Sequence, residues 1–207
     1  MKAYRILLVS VLMLLAGCQS GPEARYTGWI GQSPSGPAVD LADYEPPQAL
    51  GVFRLQGEMS FPEGEMRVFR YRHAEQDGHK LDVALYPLPS GWSDLPGERA
   101  VAGHYGQVKQ TMAGRVTERN NSSVELISEE LRNPDDLDYP VAEGVFRETT
   151  DDWSRTLVLE ISARKPVFVR MTSDLPGQQE EQLLPRIRAA MDAFLRHEGP
   201  AQETNGS

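Results

Sequence analysis

The chain has 207 residues, with 30 Asp and Glu against 21 Lys and Arg, a net charge of -9 that argues against nucleic acid as a partner. Its single cysteine excludes an intrachain disulfide, so the body must fold by packing alone. The length suits one domain able to bury its own core.

Lys2 and Arg5 open the chain, an apolar run follows from Ile6 to Leu15, and Leu15-Ala16-Gly17-Cys18 closes it. The run is roughly a dozen residues where a membrane-spanning helix needs about 20. Basic start, short apolar stretch and small residues before a cysteine resemble the type II signal peptide and lipobox of bacterial lipoproteins. The resemblance implies that residues 1–17 are removed, that Cys18 is acylated, and that the body stands outside the cytoplasm. Loss of Lys2 and Arg5 takes the net charge from -9 to -11. Gln19, where an aspartate would retain an enteric lipoprotein in the inner membrane, implies the periplasmic face of the outer membrane. In a single-membrane bacterium the same anchor holds the protein at the outer surface. Each buried methylene adds about 0.8 kcal/mol of membrane affinity, so the two or three chains typical of such proteins tether practically permanently.

Residues 18–48 are rich in Gly, Pro and Ser and read as a lipidated tether. Trp29, Ile30 and Tyr44 leave open that part of it packs back on the body. The body is expected over 49–198. Val52 to Met59 and Met66 to Arg72 predict two strands around Pro62-Glu63-Gly64, and Leu81, Val83 and Leu85 mark His79 to Tyr86 as a half-buried strand. Val101, Tyr105, Val108, Met112 and Val116 predict a helix within Glu98 to Thr117, although Gly103, Gly106 and Gly114 each cost about 1 kcal/mol relative to alanine.

Val124 to Leu131 and Val141 to Thr149 predict strands, as do Arg155 to Ala163 (Leu157, Leu159, Ile161) and the segment with Val167, Val169 and Met171. The short turn at Lys165-Pro166 requires the last two to pair antiparallel. Leu183, Leu184, Ile187, Met191, Phe194 and Leu195 predict a helix over Gln178 to His197, which Pro185 either starts or kinks. Residues 199–207 read as a disordered tail. The order predicts an α+β class, with a single, mainly antiparallel sheet packed against two helices. It is similar in element order alone to small folds of the PsbP/Mog1 type, which mainly serve assembly and interaction.

Chemistry is thinly signalled. His73, His79, His104 and His197 lack a paired-ligand spacing, Asp135-Asp136-Leu137-Asp138 lacks the offsets of an EF-hand, and no G-x-S-x-G elbow or phosphate loop occurs. His73 and His79 flank a predicted hairpin turn, where histidines are usually solvated. No cofactor, metal ligand or catalytic residue is therefore assigned. Trp92 and Tyr139, aromatic residues in Pro-containing loops, are the candidates for partner binding. The expectation is a non-catalytic, membrane-anchored envelope lipoprotein with an envelope protein as partner. Alternatives are a carrier of lipid or another small hydrophobic ligand, and an envelope hydrolase with an unrecognised site.

Overall fold

Alternating Val, Leu, Phe and Tyr favour extended chain because each can bury every second side chain on a pleated surface. The computed structural model describes residues 39, 41–42, 44–61, 66–76, 78–135, 137, 139–176 and 180–197. Its strands are β1 (Ala49–Leu50), β2 (Phe53–Ser60), β3 (Arg67–His73), β4 (Lys80–Pro87), β5 (Ser123–Arg132), β6 (Val141–Thr149), β7 (Ser154–Arg164) and β8 (Val167–Pro176). The helices are α1 (Gly97–Asn120) and α2 (Glu180–Arg196). The fold is α+β: one antiparallel sheet in the order β1-β2-β3-β4-β8-β7-β6-β5, packed against two helices.

The helices lie on opposite faces. Ala100, Val101, Tyr105, Val108, Met112 and Val116 of α1 pack on one face with Tyr86, Phe146, Leu159 and Phe168. On the other, Leu183, Ile187, Met191 and Phe194 of α2 pack with Phe69, Tyr71, Val83 and Val169. Central strands are therefore covered twice. Thr156 to Ala163 are all buried, and β4, predicted to be half-buried, is buried on both sides from Val83 to Pro87.

α1 runs through Gly103, Gly106 and Gly114 because its apolar stripe gains more from burial than the glycines cost. It stops at Asn121, whose φ of 47° is the left-handed conformation that asparagine tolerates. Pro185 neither starts nor ends α2. The backbone bond it lacks would reach the carbonyl of Glu181, an exposed residue in the opening turn.

A strap before β1 lies on the α2 face. Leu41 and Tyr44 are buried in its core, and Tyr44 meets Phe69 at 5.5 Å and Phe194 at 6.0 Å between ring centres. The Arg67 guanidinium holds the strap by donating to the carbonyls of Leu41, Ala42 and Tyr44. Residues 1–38, which include the lipobox and most of the predicted tether, lie outside the described residues, as does the predicted tail.

Candidate partner-binding edge

Cys18 lies outside the described residues. Trp92 is half-buried, its ring set edge-on to His104 at 6.2 Å and to Phe168 at 5.9 Å, so it packs on the α1-side core. Tyr139 is half-buried in the loop before β6. Asp136 and Asp138 of the acidic run are not described, and no group of three or more His, Cys, Asp or Glu placed to hold a metal occurs among the described residues.

The turn-edge histidines are not solvated, contrary to the sequence expectation. His73 and His79 are both buried, with ring centres 6.2 Å apart. The Nδ1 of His73 accepts the backbone N–H of Glu75 and of Gln76, which fixes the turn. Burial, then the charges of His79 and Arg186, lower the His73 pKa, so the ring serves as a neutral acceptor. His104 is a third buried histidine: its Nε2 is 2.6 Å from the Tyr86 hydroxyl, its ring stacks on Phe168 at 4.2 Å, and burial lowers its pKa to about 4. Both arrangements bury their histidines in the core, with Nδ1 of His73 and Nε2 of His104 engaged in these contacts.

The feature open to a partner is β5. Among the described residues it pairs with β6 alone and so forms one edge of the sheet, and seven of its ten residues, Glu125 to Leu131, run exposed without a break. Residues opposite each other in an antiparallel pair share a face. Leu126 faces Phe146 and Leu131 faces Ala142, so both lie on the α1 side, where they are 43% and 45% exposed. Glu125 faces Arg147, Ser128 faces Val145 and Glu130 faces Glu143, on the α2 side. The two halves are out of step by one residue, because a bulge sits between Leu126 and Ser128 and leaves Ile127 exposed.

The edge is anchored at both ends. At its start, the Ser122 hydroxyl lies 2.9 Å from Glu148 Oε1 and 3.3 Å from the Val116 carbonyl. At its end, Arg132 donates to Glu160 of β7 and, at 2.7 Å, to Asp192 of α2, while Arg188 of α2 donates from Nε to both oxygens of Glu143 at 3.0 Å. Lys109 of α1 reaches Glu129 from the other face. An edge clamped to both helices is a stiff template, and stiffness lowers the ordering cost of binding.

Burial pushes the Glu160 carboxyl up to about 7, against the pull of Arg132. The folded value lies above the usual carboxyl value of 4.5, so the folded state holds this proton between those two pH values and the unfolded state does not. Stability from this group therefore falls as pH rises from about 4.5 to 7, by at most about 3 kcal/mol. Glu160→Gln is expected to flatten that fall relative to the parent, measured by urea unfolding at pH 4.5, 5.5, 6.5 and 7.5; parallel curves for the two proteins would exclude it.

Sequence reading passed over this edge. The signal present was Leu126-Ile127 followed by Glu129-Glu130, a break in alternation that marks a bulge, but nothing local reveals that one side of the strand stays unpaired among the described residues. Comparison with protein-family models and with curated proteins finds no match. Two solved structures are similar in part. The solution structure of cyanobacterial PsbP (CyanoP) from Synechocystis sp. PCC 6803 matches at a TM-score of 0.45 and 13% identity, over 67% of this chain and 89% of that one. The crystal structure of a protein of unknown function from Pseudomonas aeruginosa matches at a TM-score of 0.41 and 12% identity, over 73% of this chain and 99% of that one.

Proposed function

We propose that this chain is a lipid-anchored envelope protein whose body is a non-catalytic module that binds a protein partner. The observation that carries the reading is the exposed, rigidly held β5 edge with Leu126, Ile127 and Leu131 at its surface. The lipobox supports anchoring through Cys18 at the periplasmic face of the outer membrane. Large side chains fill the space under both helices, with Phe69, Tyr71 and Phe194 on one face and Tyr86 and Phe168 on the other, which favours surface binding over carriage of a hydrophobic ligand.

Two measurements test it. A fatty-acid probe should label the protein in cells, and Cys18→Ser should abolish the label and release the protein to the soluble fraction; an unlabelled parent overturns the anchor. A photo-crosslinking residue at position 127 or 131 should give adducts of one common mass in intact envelopes, with none from position 110 on the exposed side of α1. Absence of adducts from both β5 positions overturns the binding role.

A further inference from the structure

Resting on that reading, we infer that the partner contributes an extended segment of alternating basic and apolar residues, which adds to β5 as a ninth strand. An edge strand presents a row of N–H and C=O groups that an added strand satisfies, while side-chain alternation sets the specificity. Here the alternation is explicit. On the α2 side the incoming strand meets Glu125, Ser128 and Glu130; on the α1 side it meets Leu126, Glu129 and Leu131. Glu129 is already paired with Lys109, which leaves the two leucines to set the preference of that side. Lysine or arginine therefore belongs on one face of the added strand and apolar side chains on the other.

A second copy of this chain fits poorly. In a continuous antiparallel sheet the two copies of β5 would be related by a two-fold axis perpendicular to the sheet, keeping each face with its own kind. Over the regular stretch Ser128 to Arg132, centring the axis on Glu129 or Glu130 sets a glutamate against its own copy. Centring it on Ser128 runs each strand into the other's bulge at Leu126 to Ser128, and centring it on Leu131 pairs just three residues of β5. The same glutamates that blunt the edge against self-association select a basic strand.

The test uses the full-length lipidated protein in non-ionic detergent and amide hydrogen exchange across residues 123–132. The probe is a blocked nonapeptide alternating Lys and Val. Exchange in β5 should slow by about tenfold at saturating peptide, with no change in β1 at the opposite edge. A Glu/Val peptide should leave β5 unprotected, and Glu125→Lys/Glu130→Lys should invert that preference. Equal protection by a Lys/Val peptide with alternate amides N-methylated would reduce the effect to charge attraction and overturn strand addition. No protection by Lys/Val overturns it too, as does β5 protection that grows with protein concentration in the absence of peptide, which would assign the edge to a second copy. If the peptide fails while adducts form at positions 127 and 131, the binding role stands and the strand model falls.

Discussion

Gly144→Ala should destabilise the protein by about 3 kcal/mol or more, a loss at the upper end of what overpacking produces. Gly144 lies in β6 opposite Leu159 and Glu129. A Cβ there would stand 2.1 Å from the Tyr105 hydroxyl oxygen and 2.8 and 2.9 Å from two ring carbons of Phe146. Real carbon contacts do not reach these distances, so α1 must lift or Phe146 must leave its site. Tyr105 is buried on α1 and Phe146 is buried beneath it, so both movements open the α1-side core. Thermal unfolding should show a midpoint drop of about 10 °C for a domain of this size. Tyr105→Phe removes the closest atom, and in that background the alanine should cost about 1 kcal/mol less. A Gly144→Ala protein within 1 °C of the parent would refute this account of the packing.

Arg67→Ala should cost about 2–4 kcal/mol, the range for breaking a buried charged hydrogen-bond network. The side chain is 11% exposed, donates to the carbonyls of Leu41, Ala42 (3.0 Å) and Tyr44 (2.7 Å), and pairs with Glu58 at 2.7 Å. Removing it takes a charged donor from all three carbonyls, of which that of Leu41 keeps the Tyr44 N–H at 3.2 Å, and frees a strap that carries Leu41 and Tyr44 into the core. Thermal melts would record the loss, and limited proteolysis should show new cleavage within residues 39–48. Arg67→Lys keeps the charge but not the planar fork, so it should recover part of the stability and little of the protection from protease. Unchanged cleavage in Arg67→Ala would show that the strap is held without Arg67, by the burial of Leu41 and Tyr44 and the contact of His197 with the Glu45 carbonyl.

Much of the fold was legible because the hydrophobic period is a local property. Leu157, Leu159 and Ile161, or Val101, Tyr105, Val108 and Met112, declare a strand and a helix without reference to the rest of the chain. The strap was less legible, since Leu41 and Tyr44 are isolated apolar residues among prolines and small residues, and their burial depends on Arg67 some 25 residues away. His73 and His79 read as solvated beside a turn, yet both are buried, with Phe53 of β2 set edge-on to His73 at 5.6 Å. The candidate edge was hidden for a similar reason: β5 and β6 look alike as strands, and only the sheet order makes one terminal and the other covered.

The α+β class, the antiparallel β7–β8 hairpin and the element limits to within a few residues followed from local pattern and from a connection too short for a crossover. What each apolar row packs against did not. Leu157, Leu159 and Ile161 turn toward α1, while Val167 and Val169, in the very next strand, turn toward α2. The register Ala163↔Phe168 puts these rows on opposite faces of the sheet. A period of two states that alternate side chains share a face, but it carries no information about which helix covers that face or which strand is left at the edge. Those are settled by long-range pairing and by the burial it permits, so they belong to the tertiary structure.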